Sequence, residues 1–399
     1  MNTHATVAAA PLVSVIIPTF NYGHFVEAAI ASVETQDYPA CEIIVIDDGS
    51  SDDTQARLAH RPGIRYVRQD NQGLSAARNH GLRLARGEFL QFLDADDLLG
   101  ASAVRRRVEF LQAHPAVSAV FCRSRFFANE DEIAKSAGRQ REWAQPAAED
   151  VDLALYFSNI APPHAFLVRR AVVAAHGLEF DTRLRACEDY DFWYRLARAG
   201  GLPAPLGTAN VYYRQHAASM SRAHGNQYRH DAEMCRRIRA DIGAGRAWLG
   251  ERSPGDYLAA LYCASLLACR RLWHVDRAGL AEFVSGHLLP LQQELASALA
   301  TAPPGVAARG YLADARLLAL RLWMRDRALS RGAWRRLAPP LAASQFAAAL
   351  AGPGARRPGL GRLLRQDLVY ATLRLRGTLQ RAGGSALDAE SETGHDLLA

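Results

Sequence analysis

At 399 residues, with 49% hydrophobic and 22% charged positions, the chain has the makeup of a soluble globular protein with room for more than one domain. The net charge of +6 is carried almost wholly by arginine, Lys135 being the only lysine, and so modest an excess gives no indication of nucleic-acid binding. Six cysteines lie scattered with no CxxC pair and no histidine at zinc spacing, so reduced thiols are expected rather than a disulfide framework.

The first fifty-odd residues hold no Lys or Arg and so lack the basic segment that opens a secretory leader. From there the chain alternates strand and helix signals. Val13-Ser14-Val15-Ile16-Ile17 reads as a buried strand stopped by Pro18. A helix is expected from His24 to Thr35, with Val26, Ile30 and Val33 on one face. Glu42–Ile46 is a second strand ending in Asp47-Asp48-Gly49-Ser50, and Ser51–Thr54 offers N-caps for a short helix. Ile64–Val67 is a third strand, Leu74–Leu84 a third helix, and Glu88–Leu93 a fourth strand. This alternation predicts a mostly parallel α/β sheet covered on both faces. Ligands of such sheets sit at the carboxyl ends of the strands, where Thr19–Asn21, Asp47–Ser50 and Asp94–Asp97 all fall. After Ala101 the pattern loosens into a helix, a strand near Ala119–Cys122 and an irregular polar stretch to Asp150. Glu188-Asp189 then opens an aromatic-rich helix, Tyr190–Ala199, and Val211–Arg214 is a last strand.

Asp94, Asp96 and Asp97 place three carboxylates within four positions. In an extended chain Asp94 and Asp96 point the same way. Carboxylates so close repel unless a cation or a hydrogen-bond network intervenes, and Mg2+ or Mn2+ with oxygen ligands is the economical answer. The alternative is an acidic turn capping the next helix.

Val15-Ile16-Ile17-Pro18-Thr19-Phe20-Asn21, Val45–Thr54 with its Asp-Asp-Gly-Ser, Asn71–Asn79, Leu93-Asp94-Ala95-Asp96-Asp97 and Glu188-Asp189-Tyr190-Asp191 occur in that order. Together they resemble the family-two inverting glycosyltransferases, over residues 11–221. That resemblance implies a GT-A fold and a nucleotide-diphosphate-sugar donor, with a UDP-sugar favoured. It implies that Asp48 accepts the N3–H of uracil, that Pro18, Thr19 and Asn21 border base and ribose, and that Arg78 lies on the nucleotide side. Asp94 then contacts ribose or sugar, while Asp96 holds Mn2+ or Mg2+ against the diphosphate. Asp189 becomes the base that deprotonates the acceptor hydroxyl, with Glu188 tuning it or binding acceptor. Asp191, about 200° round a helix from Asp189, faces away. His216, in Tyr213-Arg214-Gln215-His216, matches a histidine that relatives place near the metal or diphosphate. His164 falls where acceptor-side loops lie, and is read as a satisfied structural histidine.

Beyond residue 225 strand signals vanish and the chain turns Ala-, Leu- and Arg-rich. The expected organisation is a flexible N-terminus (1–10), a GT-A domain (11–225), a helical C-terminal domain (226–382) and a disordered tail (383–399). Leu364, Leu368, Ala371, Leu375 and Leu379 line one helical face beside Arg365, Arg374, Arg376 and Arg381. Such a helix suits either a packed core or peripheral contact with an anionic membrane, and oligomerisation is equally open. The apolar run Tyr257–Cys269 is shorter than the ~18 residues of a membrane span, so a cytoplasmic protein, at most peripheral on the inner face, is expected. The expected activity is sugar transfer to a hydroxyl of a saccharide or lipid-linked saccharide. Transfer to a polyprenyl phosphate, or a non-catalytic sugar-nucleotide-binding scaffold, are the alternatives.

Overall fold

One mixed sheet of eight strands, in the order β3-β2-β1-β4-β7-β6-β8-β5, organises the first half of the chain. The computed structural model describes residues 10–135, 142–217, 219, 224–246 and 248–325. These all belong to the first of two units, Met1–Pro353 and Gly354–Ala399. The expectations for residues 1–9, for the amphipathic stretch 364–381 and for the tail 383–399 lie outside the described residues.

Strands β1 (Val13–Thr19), β2 (Cys41–Asp47), β3 (Ile64–Arg68) and β4 (Phe89–Phe92) pair in parallel. Helices α1 (Gly23–Glu34), α2 (Thr54–Leu58) and α3 (Leu74–Leu84) connect them. Val13, Val15, Ile16, Ile17, Ile44, Val45 and Ile46 are fully buried, as continuous apolar runs demand of strands covered on both faces. Pro18 does not stop β1, which runs on to pair Pro18 with Ile46 and Thr19 with Asp47. The reason is directional. The Ile16 carbonyl accepts from Leu93 N and the Thr19 carbonyl from Asp48 N, so alternate residues face β4 and β2. Pro18 turns its missing N–H to the side where β4 has already ended, so no ladder bond is lost.

The other half of the sheet is less parallel than the strand–helix alternation suggests. It comprises β5 (Leu98–Leu99), β6 (Ala119–Phe127), β7 (Phe166–Arg169) and β8 (Ala204–Arg214). Strand β7 runs antiparallel to both β4 and β6, β8 is parallel to β6, and β5 is antiparallel to β8. Around these strands lie α4 (Ala103–Ala113), α5 (Glu130–Lys135), α6 (Val151–Phe157), α7 (Arg170–Ala175) and α8 (Glu188–Gly200). The last helix begins at Glu188 itself, so Glu188 and Asp189 stand in its first turn.

No strand follows Arg214 among the described residues. Helices α9 (His224–Gly243), α10 (Pro254–Val275), α11 (Arg277–Phe283), α12 (Leu289–Thr301) and α13 (Val306–Arg325) follow, with one π turn at Val284–Leu288. Pro254 at the first position and a reciprocal Ser253–Asp256 capping box start α10. This helix is buried almost all round and packs on α6, α9, α12 and α13. The apolar run Tyr257–Cys269 is therefore a central core helix, and no described helix is long and apolar enough to cross a membrane. Its start is pinned to the sheet half through Asp152, which accepts from Tyr257 Oη at 2.9 Å and from Arg252 Nε at 3.0 Å. Asp152→Ala leaves the Tyr257 phenol without its acceptor and removes one partner of the Arg252 guanidinium, which keeps the Asp150 carboxylate and the Glu149 carbonyl. We expect a loss of about 2–3 kcal/mol, read as a lower urea midpoint with unchanged slope.

Candidate active site

Polar clusters stand at the carboxyl ends of β1, β2 and β4, and the loops after β1 and β2 are tied together by hydrogen bonds from Asn21 N to Ser50 Oγ and from Ser51 N to Asn21 Oδ1. Asp47 is fully buried and serves the turn itself, accepting from Ser50 N at 2.8 Å and Tyr66 Oη at 2.5 Å. Asp48 is 3% exposed and accepts from Gln69 Nε2 (2.7 Å), Gln72 N (2.9 Å) and Gly73 N (2.7 Å). Gly73 presents its N–H from φ +92, which only glycine adopts without strain. A carboxylate has about four lone-pair sites, so three donors leave Asp48 able to accept one more.

Asn21, at φ +58, accepts from Ser51 N at 2.7 Å and ties the end of β1 to the loop after β2. Pro18 and Thr19 are buried beside it, and Thr19 Oγ1 has no hydrogen-bond partner among the described residues. Phe20 is 46% exposed, an aromatic ring left open next to this polar rim.

Arg78 does not reach outward. It is 1% exposed, with Nη2 at 2.7 Å from Asp94 Oδ1 and Nη1 at 2.7 Å from Glu188 Oε1. Burial works against its charge, yet the Asp94 and Glu188 carboxylates hold its pKa above the ordinary arginine value. The guanidinium thus joins the loop after β4 to the start of α8.

The acidic loop is a turn rather than an extended strand end, closed by Asp97 N donating to the Asp94 carbonyl. Asp94 and Asp96 consequently diverge: Asp94 meets Arg78, and Asp96 Oδ2 lies 2.9 Å from His216 Nε2. Burial, with Asp97 and Asp94 close by, pushes the Asp96 carboxyl up to about 8. Burial and the Asp96 carboxylate likewise push the Tyr22 phenol up to about 12. Both shifts mark a pocket rich in negative charge, which suits a hard cation.

Two donor sets border that pocket. Asp94, Asp97 and His164 have ligand atoms within 4.8 Å of one another. However, His164 is fully buried, with Nδ1 at 2.8 Å from Asp97 Oδ2 and Nε2 at 3.2 Å from Ser124 Oγ. Asp97 also accepts from Arg214 N at 2.7 Å. A metal that meets a substrate needs open positions. The Asp96 and His216 side chains keep 16% and 17% exposure, whereas Asp97 and His164 are closed. The Asp96–His216 pair therefore fits Mn2+ or Mg2+ better, and Asp97–His164 serves as an internal brace.

Asp189 is half-buried. Its Oδ2 accepts from Asn159 Nδ2 and its Oδ1 from Tyr190 N, both at 2.7 Å. Burial and the neighbouring Glu188 push its carboxyl up to about 7, against the pull of Arg78. A carboxylate tuned to neutrality is suited to general-base work. Asp191 faces away, as its helical angle requires, and pairs with Arg195 (2.6 Å) and with Arg237 of α9 (3.2 Å). Helix α9 also holds the residue just before the acidic pair: Cys187, at φ +59, contacts Asp231 Oδ1 at 3.4 Å and Gln227 Nε2 at 2.9 Å.

Residues 14–177 match the family model described as glycosyl transferase family 2. The chain carries a family 2 glycosyltransferase domain. Among curated relatives, Escherichia coli chondroitin synthase is 28% identical over 200 residues, 49% of this chain but only 28% of that protein's length. The E. coli UDP-Glc:alpha-D-GlcNAc-diphosphoundecaprenol beta-1,3-glucosyltransferase WfaP is 27% identical over 213 residues, 53% of this chain and 80% of that one. A solved structure of S. aureus TarS 1-349 superposes with a TM-score of 0.52 at 17% identity, covering 86% of this chain and 93% of that one, a likeness of fold.

Several residues that shape this candidate site have contacts that no sequence motif announces. Asn159 lies in a stretch without a motif. Arg214 adopts its role only in three dimensions, with Nε donating to the Asp96 carbonyl at 2.8 Å and its plane over Phe127. Tyr22 lies one residue past the Val15–Asn21 run, and only the fold brings it close to the acidic loop.

Asp189 supplies a pH signature. Between about pH 4 and 7 the folded chain keeps a proton that the unfolded chain has released, so this stabilisation is lost as pH rises through that window. Urea midpoints taken at about pH 5 and about pH 8 should fall with pH, and fall less in Asp189→Asn.

Proposed function

We propose that the protein is a metal-dependent inverting glycosyltransferase that moves a sugar from a UDP-sugar to a hydroxyl of a lipid-linked saccharide. The observation that carries this reading is Asp189. Its carboxyl, pushed to about 7 and held by Asn159 and Tyr190 N, is connected through Glu188 and Arg78 to Asp94 on the acidic loop. A base on one side and a leaving-group site on the other is what direct displacement at an anomeric carbon requires.

Asp189 takes the proton of the acceptor hydroxyl as that oxygen attacks, and one such base gives inversion. On the donor side, Asp48 offers its remaining lone pair to a base N3–H, and Thr19 Oγ1 offers an unused hydroxyl nearby. Phe20 presents a face on which a base stacks. Asp96 and His216 would hold Mn2+ or Mg2+, which supplies positive charge to the departing diphosphate. No general acid is then required. The name of WfaP supports a UDP-sugar donor and a diphospholipid-linked acceptor. Such an acceptor would put the enzyme at the inner face of the cytoplasmic membrane.

Asp189→Asn should lower transfer by about 10²- to 10⁴-fold while UDP binding with Mn2+ is retained. Normal turnover in that variant would contradict the base assignment. UDP should bind more weakly in EDTA than in Mn2+, and an affinity indifferent to the chelator would contradict the metal.

A further inference from the structure

We propose that Asn159 is the positioning residue of the base: its side-chain amide fixes the Asp189 carboxylate in the orientation that receives the acceptor's proton. The inference rests on the reading of Asp189 as base and adds a residue to it.

The geometry is specific. Asn159 Nδ2 donates to Asp189 Oδ2 at 2.7 Å, while Tyr190 N donates to Oδ1 at 2.7 Å. The two donors pin both carboxylate oxygens, one from the helix itself and one from a separate loop. That loop is anchored at each end to parts of the same site. Upstream, Tyr190 Oη donates to the Leu155 carbonyl at 2.6 Å, so the residue following the base also grips the helix that leads to Asn159. Downstream, His164 lies 2.8 Å from Asp97 of the acidic loop, and its carbonyl accepts from Gln91 Nε2 (3.0 Å) and Arg107 Nη1 (3.2 Å). Asn159 therefore occupies a short bridge with little freedom to swing away. Its Oδ1 is buried without a hydrogen-bond partner among the described residues. A buried amide that leaves its own oxygen unpaired in order to donate to one carboxylate is placed for that donation rather than for local satisfaction.

Chemically, an N–H donor favours the ionised carboxylate. Glu188 opposes ionisation, as does burial, whereas Arg78 and the two donors support it. The Cys187 thiol, pushed well up by burial and then by Asp231, also feels the Asp189 carboxylate. Asn159 is thus one of the few contacts that keep the base available near neutral pH, and it selects which oxygen lone pair stays open.

The test is a carboxyl 13C NMR titration of the full chain labelled at aspartate, with the Asp189 signal assigned as the one lost in Asp189→Asn. Asn159→Ala should move the Asp189 titration to higher pH, and the isosteric Asn159→Asp should move it further, since a second carboxylate then stands against the first. Turnover of Asn159→Ala at pH 7 should fall about tenfold, with donor KM unchanged and the acid limb of the pH profile displaced upward. An Asp189 titration that stays put in both variants overturns the proposal. That outcome differs from failure of the underlying reading, in which Asp189→Asn itself turns over normally.

Discussion

A single buried guanidinium holds the two halves of the site together. Arg78 sits on α3, between Asp94 from the loop after β4 and Glu188 from the first turn of α8, at 2.7 Å from each. Burying three charges is expensive, and their attraction repays the cost only when every partner is present. Taking away the guanidinium would leave the buried Glu188 and the partly exposed Asp94 without the charge that offsets theirs, a penalty of up to about 3 kcal/mol. The same contact sets geometry, because Asp94 belongs to the side where a leaving diphosphate would lie and Glu188 precedes the candidate base. A displacement in line needs those sides held at a fixed separation, and misplacement by an ångström is costly.

Around that contact the carboxylates are divided by environment into separate tasks. Asp47, Asp97 and Asp191 are consumed by structure, each closed over by donors from the protein. Asp48 is nearly so, with one lone pair to spare. Burial pushes the Asp96, Asp97 and Asp189 carboxyls up, Asp96 to about 8 and Asp189 to about 7, and of these three Asp97 is closed over while Asp96 and Asp189 stay partly exposed. Carboxylates of identical chemistry are thereby sorted into braces, a candidate cation ligand and a candidate base. The helical half contributes to the sorting. Helix α9 fixes Cys187 and Asp191 on either side of the acidic pair, and α10 fixes α6, from which the chain runs to Asn159. The helices are thus part of the support for the site, whatever else they bind.

Local pattern made the parallel half of the sheet legible, because buried parallel strands are continuous apolar runs and their helices have an apolar stripe. Thr19, Asn21, Asp48, Asp94 and Asp96 were legible as a group for the same reason: each follows such a run. Strand β7 was not, since four residues between a 3-10 turn and a short helix carry no period to read. Arg78 was expected on the nucleotide side, and nothing local announces a partner 110 positions away. Asp94 and Asp96, read as lying on one side of an extended chain, stand instead in a turn, Asp94 against Arg78 and Asp96 against His216. His164 was read as a satisfied structural histidine; it is buried against Asp97 and Ser124, but its Nδ1 makes no hydrogen bond of good geometry among the described residues and it stands with Asp94 and Asp97 in a set able to hold a cation. The resemblance to a family supplied roles, while the contacts that tune those roles emerged only from the fold.

A crystal structure of the chain with UDP and Mn2+ tests the account most directly. The ion is expected on Asp96 and His216, the uracil N3 beside Asp48, and the Arg78 guanidinium still lodged between Asp94 and Glu188. An ion seated on Asp97 and His164, or Arg78 withdrawn to grip the diphosphate, would contradict it.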